Sequence, residues 1–177
     1  MLKDLVGIFG LIQNYEKVRI SILQFLLGEI KLRDELDHNY EILVVEDNNG
    51  DIRLIKEVFK DIGLKNSIKI ARDGEEAMKI LCREGEYLNE PIPKLILLDL
   101  NLPKKDGREV LAEIKSHDEL KSVPVIVLTT SNSEEDIAYT YSNYGNAYIT
   151  KPADLEQFLK VLKAIPEFWF NIVKLPR

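Results

Sequence analysis

The sequence predicts an α/β fold: a flavodoxin-like, doubly wound, five-stranded parallel sheet in order 2-1-3-4-5, preceded by an N-terminal helical extension. Three observations carry this. From Asn39 onward, short apolar runs alternate five times with amphipathic stretches, the rhythm of βαβ units. Three of those runs are continuously apolar, as strands covered by helices on both faces should be. Five such units in about 130 residues match the size of an open sheet whose ligand crevice lies at the carboxyl ends of the strands.

Taken in order, the first strand is Glu41–Val45 (EILVV), followed by a helix over Ile52–Ile62 that either Asp47 or Asn48 could cap. The second is Ser67–Ala71 (SIKIA), with Gly74–Cys82 as its helix, and the third is Lys94–Leu98 (KLILL), with Arg108–Ser116. The fourth is Val123–Leu128 (VPVIVL), leading to Glu134–Tyr144, and the fifth is Ala147–Thr150 (AYIT), leading to Leu155–Ala164. The expected organisation is a helical extension over 1–38, a domain over 39–165 and an apolar tail over 166–177.

Residues 1–38 have a different character. Apolar side chains recur at Leu11, Tyr15, Val18, Ile22, Phe25, Leu32 and Leu36, in alternating steps of four and three that give helical spacing. Five basic and six acidic residues in the segment exclude a basic membrane-surface helix. The seam either packs on its own domain or pairs with a second copy, and an a/d spacing alone does not separate these.

Composition narrows the function. With 24 Lys and Arg against 30 Asp and Glu, the net charge of −6 gives no general attraction to nucleic acid or anionic lipid. Cys82 has no partner for an internal disulfide, and with only His38 and His117 it cannot build a closed zinc site. The longest uncharged stretches near the start, Leu5 to Tyr15 and Ile20 to Gly28, are 11 and 9 residues, against the roughly 20 a spanning helix needs. Asp4 and the lack of a small-residue cleavage site argue against a secretory signal. The expected location is the cytoplasm.

Chemistry gathers at the strand ends. Glu46 and Asp47 follow the first strand, Asp99 the third, Thr129 and Thr130 the fourth, and Lys151-Pro152 the fifth. Each has a plain explanation alone, as a cap, a turn residue or a solvated charge. Together they converge on the rim where this fold builds sites. Three neighbouring carboxylates raise one another's pKa unless a cation compensates them. With only oxygen donors available, that cation is a hard ion such as Mg²⁺. A lysine and a hydroxyl add a positive charge and a hydrogen-bond donor for phosphoryl oxygens. The set reads as a phosphoryl-transfer site with a carboxylate nucleophile.

The stretches VVEDNNGD (44–51), LILLDLNLPKKDG (95–107), VPVIVLTT (123–130) and AYITKP (147–152) resemble the receiver domain of two-component response regulators, the CheY-like family. The resemblance covers residues 40–165 in the family's order. It implies that Asp99 is the phospho-acceptor. By the same resemblance Asp47 and Asp99 bind Mg²⁺, Glu46 holds it through water, and the Asn101 backbone carbonyl completes the protein's share. It further implies that Lys151 pairs with phosphoryl oxygens and that Thr129, with Thr130 as its neighbouring hydroxyl, is the switch. Tyr148 would be the aromatic residue that turns inward, Lys151-Pro152 a cis bond, and Gly107 a structural glycine. Such a receiver is a phospho-acceptor for a sensor histidine kinase, not an enzyme in the ordinary sense.

Two further features, the long segment Arg83–Pro93 and the ending EFWFNIVKLPR (167–177), resemble the stand-alone response regulators that partner phytochromes. The resemblance implies a phytochrome-type kinase and a dimer-forming tail. In that tail Phe168, Trp169, Phe170, Ile172, Val173 and Leu175 crowd six large apolar side chains into eight positions. One face of a helix cannot bury them all, which predicts a homodimer through the tail and the last two helices; the alternative is that Pro166 ends the fifth helix and the tail folds back. Only 13 residues follow Ala164, so output is expected to be a protein–protein contact. The sequence speaks against two neighbouring readings. A flavodoxin needs a phosphate loop after the first strand, and Glu46 to Asp51 would repel a phosphate. A haloacid-dehalogenase-type phosphatase places an Asp-x-Asp after one strand, where here Asp99 is followed by Leu100 and Asn101. A phosphorylation-independent binding module is the remaining alternative.

Overall fold

Runs of branched apolar side chains build the sheet: β1 (Ile42–Val45), β2 (Ile68–Ala71), β3 (Leu95–Leu98), β4 (Val125–Thr129) and β5 (Ala147–Thr150). The structure is a computed structural model describing residues 42–64 and 68–176, so the expected helix over 1–38 and its Leu11–Leu36 seam lie outside the described residues. All neighbouring strands are parallel, in the order β2-β1-β3-β4-β5. Ile42 sits level with Ile68 and Leu95, Ile96 with Val125, and Ile126 with Ala147. The strands therefore end on one common rim.

The period-two alternation of strand side chains divides the core in two. Ile42, Val44, Leu95, Leu97, Ile126 and Leu128 meet Ile55, Val58 and Phe59 of α1 (Asn49–Asp61) and Phe158, Leu162 and Ile165 of α5 (Leu155–Pro166). On the other face Leu43, Val45, Ile96, Leu98, Val125 and Val127 meet α2 (Gly74–Leu81) and α3 (Gly107–Ser116). The α4 helix (Glu134–Ser142) packs against β5 and α3.

Helix starts follow local chemistry. Asn48 caps α1, its side chain accepting from the N–H groups of Gly50 and Asp51 at 2.8 and 3.2 Å; Asp47 takes no part. Asp73, Asp106 and Asp154 cap α2, α3 and α5 in the same way. Pro124 has no N–H to donate, and β4 accordingly begins at Val125 and runs to Thr129, one residue past the expected end. Within the long segment after α2, a 3₁₀ turn at Gly85–Tyr87 places the Tyr87 ring against the core, with the Lys69 ammonium 5.2 Å from its centroid.

Pro166 does not end α5, as the folding-back alternative supposed. The helix runs through it and widens into a π-helical turn over Glu167–Ile172. Proline removes one i→i−4 hydrogen bond, and the Val173 N–H reaches back five residues to the Phe168 carbonyl at 3.0 Å. Trp169 and Phe170 pack on the α1–α5 side of the core, whereas Phe168 and Ile172 remain exposed.

Gly107 starts α3 where the loop after β3 doubles back. Its N–H donates to the Leu100 carbonyl at 2.9 Å, and a Cβ there would strike the Asp99 carbonyl and stand 2.6 Å from the Leu100 Cα. Backbone cannot yield as a side-chain end can. We therefore predict that Gly107→Ala lowers unfolding free energy by about 1–3 kcal/mol. Gly85→Ala, which meets open space at φ +59°, should cost about 1–2 kcal/mol from the left-handed backbone alone. Urea denaturation of both checks this; an unchanged Gly107→Ala midpoint contradicts the close approach.

Candidate functional site

The rim brings together acids that are distant in sequence. Asp99 immediately follows β3 and is 5% exposed. Its N–H donates to the Val45 carbonyl at 3.0 Å, so sheet pairing fixes it beside the end of β1. One carboxylate oxygen accepts the Asn101 N–H at 3.0 Å, and the other accepts Lys151 Nζ at 2.7 Å. Glu46, 2% exposed, accepts the Asn48 N–H at 3.1 Å and Lys151 Nζ at 2.6 Å. A third carboxylate, Asp51 in the first turn of α1, accepts the same ammonium at 2.9 Å. Lys151 is brought in by β5, its own N–H donating to the Thr129 carbonyl at 2.7 Å.

Three carboxylates on one ammonium leave two excess negative charges when all are ionised. Burial pushes the Glu46 carboxyl up to about 7, against the opposing pull of Lys151. Burial by itself would lower the Lys151 ammonium, but its hydrogen bonds to Asp99, Glu46 and Asp51 outweigh that and raise it. The lysine stays charged and serves as the internal counter-ion.

Thr129, fully buried at the end of β4, accepts two long hydrogen bonds of 3.4 Å, from the Asn101 side-chain amide and the Ser131 N–H. Neither uses its own proton, which is free to turn toward an oxyanion. Thr130 is exposed and accepts from the same Asn101 amide at 3.4 Å. Tyr148 on β5 donates its hydroxyl to the Ser131 carbonyl at 3.0 Å. Asp47 stands exposed, with no hydrogen bond or ion pair recorded among the described residues.

The Lys151–Pro152 bond is a correction: no cis peptide occurs among the described residues. Trans is the lower-energy isomer of an X–Pro bond by about 0.5–1 kcal/mol, and Lys151 reaches all three carboxylates from it. Asp51 is a site residue that sequence reasoning missed. Its place in the first turn of a helix springing from the Glu46-Asp47 loop was the available sign.

No three acidic, His or Cys side chains form a ready-made metal cage among the described residues. The donor set nevertheless fits a hard divalent cation. All candidate ligands are oxygens, the excess charge equals that of such an ion, and Mg²⁺ needs only one or two carboxylates beside its waters.

Residues 42–163 match the family model of the response regulator receiver domain. The chain belongs to this family. It is 49% identical over 145 residues to response regulator Rcp1 from Synechocystis, spanning 82% of this chain and 99% of Rcp1. The crystal structure of the phosphorylated cyanobacterial phytochrome response regulator RcpA superposes with a TM-score of 0.76 at 52% identity, over 78% of this chain and 99% of RcpA. The Mn²⁺-bound form of Rcp1 gives a TM-score of 0.76 at 50% identity, over the same shares. This receiver is thus a CheY-like two-component signalling protein rather than an enzyme of intermediary chemistry. Receivers of this family bind divalent metal, and response regulators of phytochrome systems pair with histidine kinases.

Stability should follow the counter-ion. Lys151→Met strands Glu46 and Asp99, and removing one member of a buried pair typically costs about 3–5 kcal/mol. Urea denaturation in EDTA at pH 8 measures this; a loss below 1 kcal/mol would show that the ammonium does not hold the carboxylates.

Proposed function

We propose that this receiver is phosphorylation-competent. Asp99 takes the phosphoryl group of a histidine-kinase phosphohistidine, its carboxylate oxygen forming the acyl-phosphate O–P bond as the imidazole N–P bond breaks and the imidazole leaves. The observation that carries this reading is the buried Asp99 carboxylate sharing one ammonium with Glu46 at 2.7 and 2.6 Å. Asp47, Asp99 and the Asn101 carbonyl, with Glu46 behind them, would hold Mg²⁺, which when bound would supply charge neutralisation and orientation for phosphoryl oxygens. Lys151 then follows the charge from the carboxylates to the phosphoryl group, Thr129 donates its free proton to a phosphoryl oxygen, and Tyr148 moves with the Ser131 loop. Thr130 serves as the flanking hydroxyl.

The kinase is of phytochrome type, a reading supported by the similarity to Rcp1 and RcpA. Output is contact with other proteins in the cytoplasm. It involves neither nucleic acid nor membrane, in keeping with the net charge of −6 and with the lack of a helix long and apolar enough to cross a membrane among the described residues. Residues 1–38, 39–165 and 166–177 act as extension, receiver and tail. Exposed Tyr141 at the end of α4 and Tyr144 just beyond it, Leu155 at the start of α5, and Phe168 and Ile172 in the tail support a homodimer through these elements.

Two outcomes test this. Acetyl phosphate with Mg²⁺ should add one acid-labile phosphoryl group, read by intact mass, that Asp99→Asn and Asp47→Ala both lose; wild-type uptake by Asp99→Asn would refute the acceptor. Thr129→Ala should still be phosphorylated, with the change in partner affinity blunted. If only Thr130→Ala uncouples the two, the switch lies one position later.

A further inference from the structure

Outside the acceptor cluster, one buried carboxylate belongs to a chain of contacts that the phosphoryl chemistry does not use. Asp136, in the first turn of α4, is 7% exposed. It accepts Arg108 Nε at 2.7 Å on one oxygen and the Ser131 hydroxyl at 2.5 Å on the other. Hydrogen bonds from Arg108 and Ser131 hold its carboxyl below the usual range. Arg108 Nη1 also donates to both oxygens of Asp106, at 3.1 and 2.9 Å. Asp106 is the cap of α3, anchored one residue before the close approach of Gly107 to Asp99. At the far end, Ser131 carries the loop: its N–H donates to the Thr129 hydroxyl, and its carbonyl accepts from Tyr148 and, at 3.4 Å, from Thr150. The Tyr139 hydroxyl closes the group on the Arg108 carbonyl at 3.4 Å.

The bonds are graded. Those at Asp136 are short and charge-assisted, the stronger kind, whereas those around Thr129 are long. Ser131 follows Thr129 by two residues and bonds to its hydroxyl, and it is tied through Asp136 to a guanidinium that rests on the Asp106 cap, at the tightly packed start of α3. Lysine would replace this only in part, because its point charge lacks the planar fork that sends Nε to Asp136 and Nη1 to Asp106.

We propose that Arg108 is the positioning residue of the β4–α4 loop: anchored on Asp106, it holds Asp136 and through it Ser131, and so keeps the loop that follows Thr129 in its unphosphorylated register. The inference rests on Asp99 being the phospho-acceptor. Release or remaking of the Ser131–Asp136–Arg108 chain is then the step by which events at Asp99 reach α4.

Hydrogen–deuterium exchange on the full chain tests it, with phosphoryl uptake read by intact mass on the same samples. In the resting protein, Arg108→Ala should speed exchange across 130–139 by about tenfold or more, the weight of one charge-assisted hydrogen bond. Peptides from β1 and β3 should stay unchanged. Arg108→Lys should fall between, and Arg53→Ala, which removes the exposed Arg53–Glu57 pair on α1, should match wild type. Acetyl phosphate with Mg²⁺ should bring wild type toward the Arg108→Ala rate and move that variant little further. Wild-type protection in Arg108→Ala, a rise spread evenly over the chain, or phosphorylated wild type with unchanged 130–139 exchange would each overturn the proposal. If wild type takes up no phosphoryl group, the acceptor reading fails, while the resting comparison still decides whether Arg108 holds the loop.

Discussion

A single ammonium compensating three carboxylates is the constraint on which the rest of this structure depends. Glu46 and Asp99 are buried, and an unpaired buried carboxylate would neutralise itself by taking a proton. Lys151 supplies the pairing, yet the four side chains come from the ends of β1 and β3, the first turn of α1 and the end of β5. Nothing local could assemble them. The parallel order 2-1-3-4-5, with β1 and β3 adjacent and every strand ending on one rim, is what brings residues 46, 51, 99 and 151 within hydrogen-bond reach. The two-layer core beneath fixes the register, and a one-residue slip in any strand would turn its apolar set to the wrong face and remove its acid from the rim.

Rigidity is distributed unevenly around that cluster. On the acceptor side, the loop from Asp99 to Gly107 is pinned by the Gly107 and Leu102 bonds to Leu100 and by Asn101 on Asp99. A loop with no room for a Cβ has little freedom to move. On the hydroxyl side, the Thr129 and Thr130 hydroxyls accept bonds of 3.4 Å, near the outer limit for a useful hydrogen bond. The rim thus joins a pinned carboxylate loop to hydroxyls held by weaker bonds.

Much of this was legible in the sequence. The continuous apolar runs KLILL and VPVIVL marked strands covered on both sides, and the five βα units matched an open flavodoxin-like sheet, at whose strand ends Glu46, Asp99, Thr129 and Lys151 converge. The choice of cap at the start of α1 was open in the sequence because Asp47 and Asn48 are both good caps; the structure selects Asn48, which leaves Asp47 exposed. Asp51 escaped notice because its role depends on the pitch of α1 rather than on a strand end. The Arg108–Asp136–Ser131 chain escaped for the same kind of reason, since its members are joined by packing between α3 and α4 that no periodicity encodes. The cis bond at Pro152 was inherited from resemblance, not from any steric demand of these residues, and the site closes without it.

The tail shows how one residue can redistribute an apolar surface. Because Pro166 withdraws a donor without stopping the helix, the following turn widens, and side chains that an α-helix would spread around its circumference are sorted into two sets. Trp169 and Phe170 go to the domain's own core. Phe168 and Ile172, four residues apart, stay outward, with the Phe168 ring edge-on to Trp169 at 5.6 Å. Two exposed side chains are far short of the roughly 800 Å² per partner that a stable interface buries. An assembly that used the tail would therefore have to recruit further apolar surface, and the described residues offer it in Tyr141, Tyr144 and Leu155. The first lies in the last turn of the helix whose opening turn carries Asp136, and the second just past its end. In this arrangement the element tied to the hydroxyl loop also bears the side chains a partner would cover, so a shift at the rim and a change of contact need no intermediary beyond α4 itself.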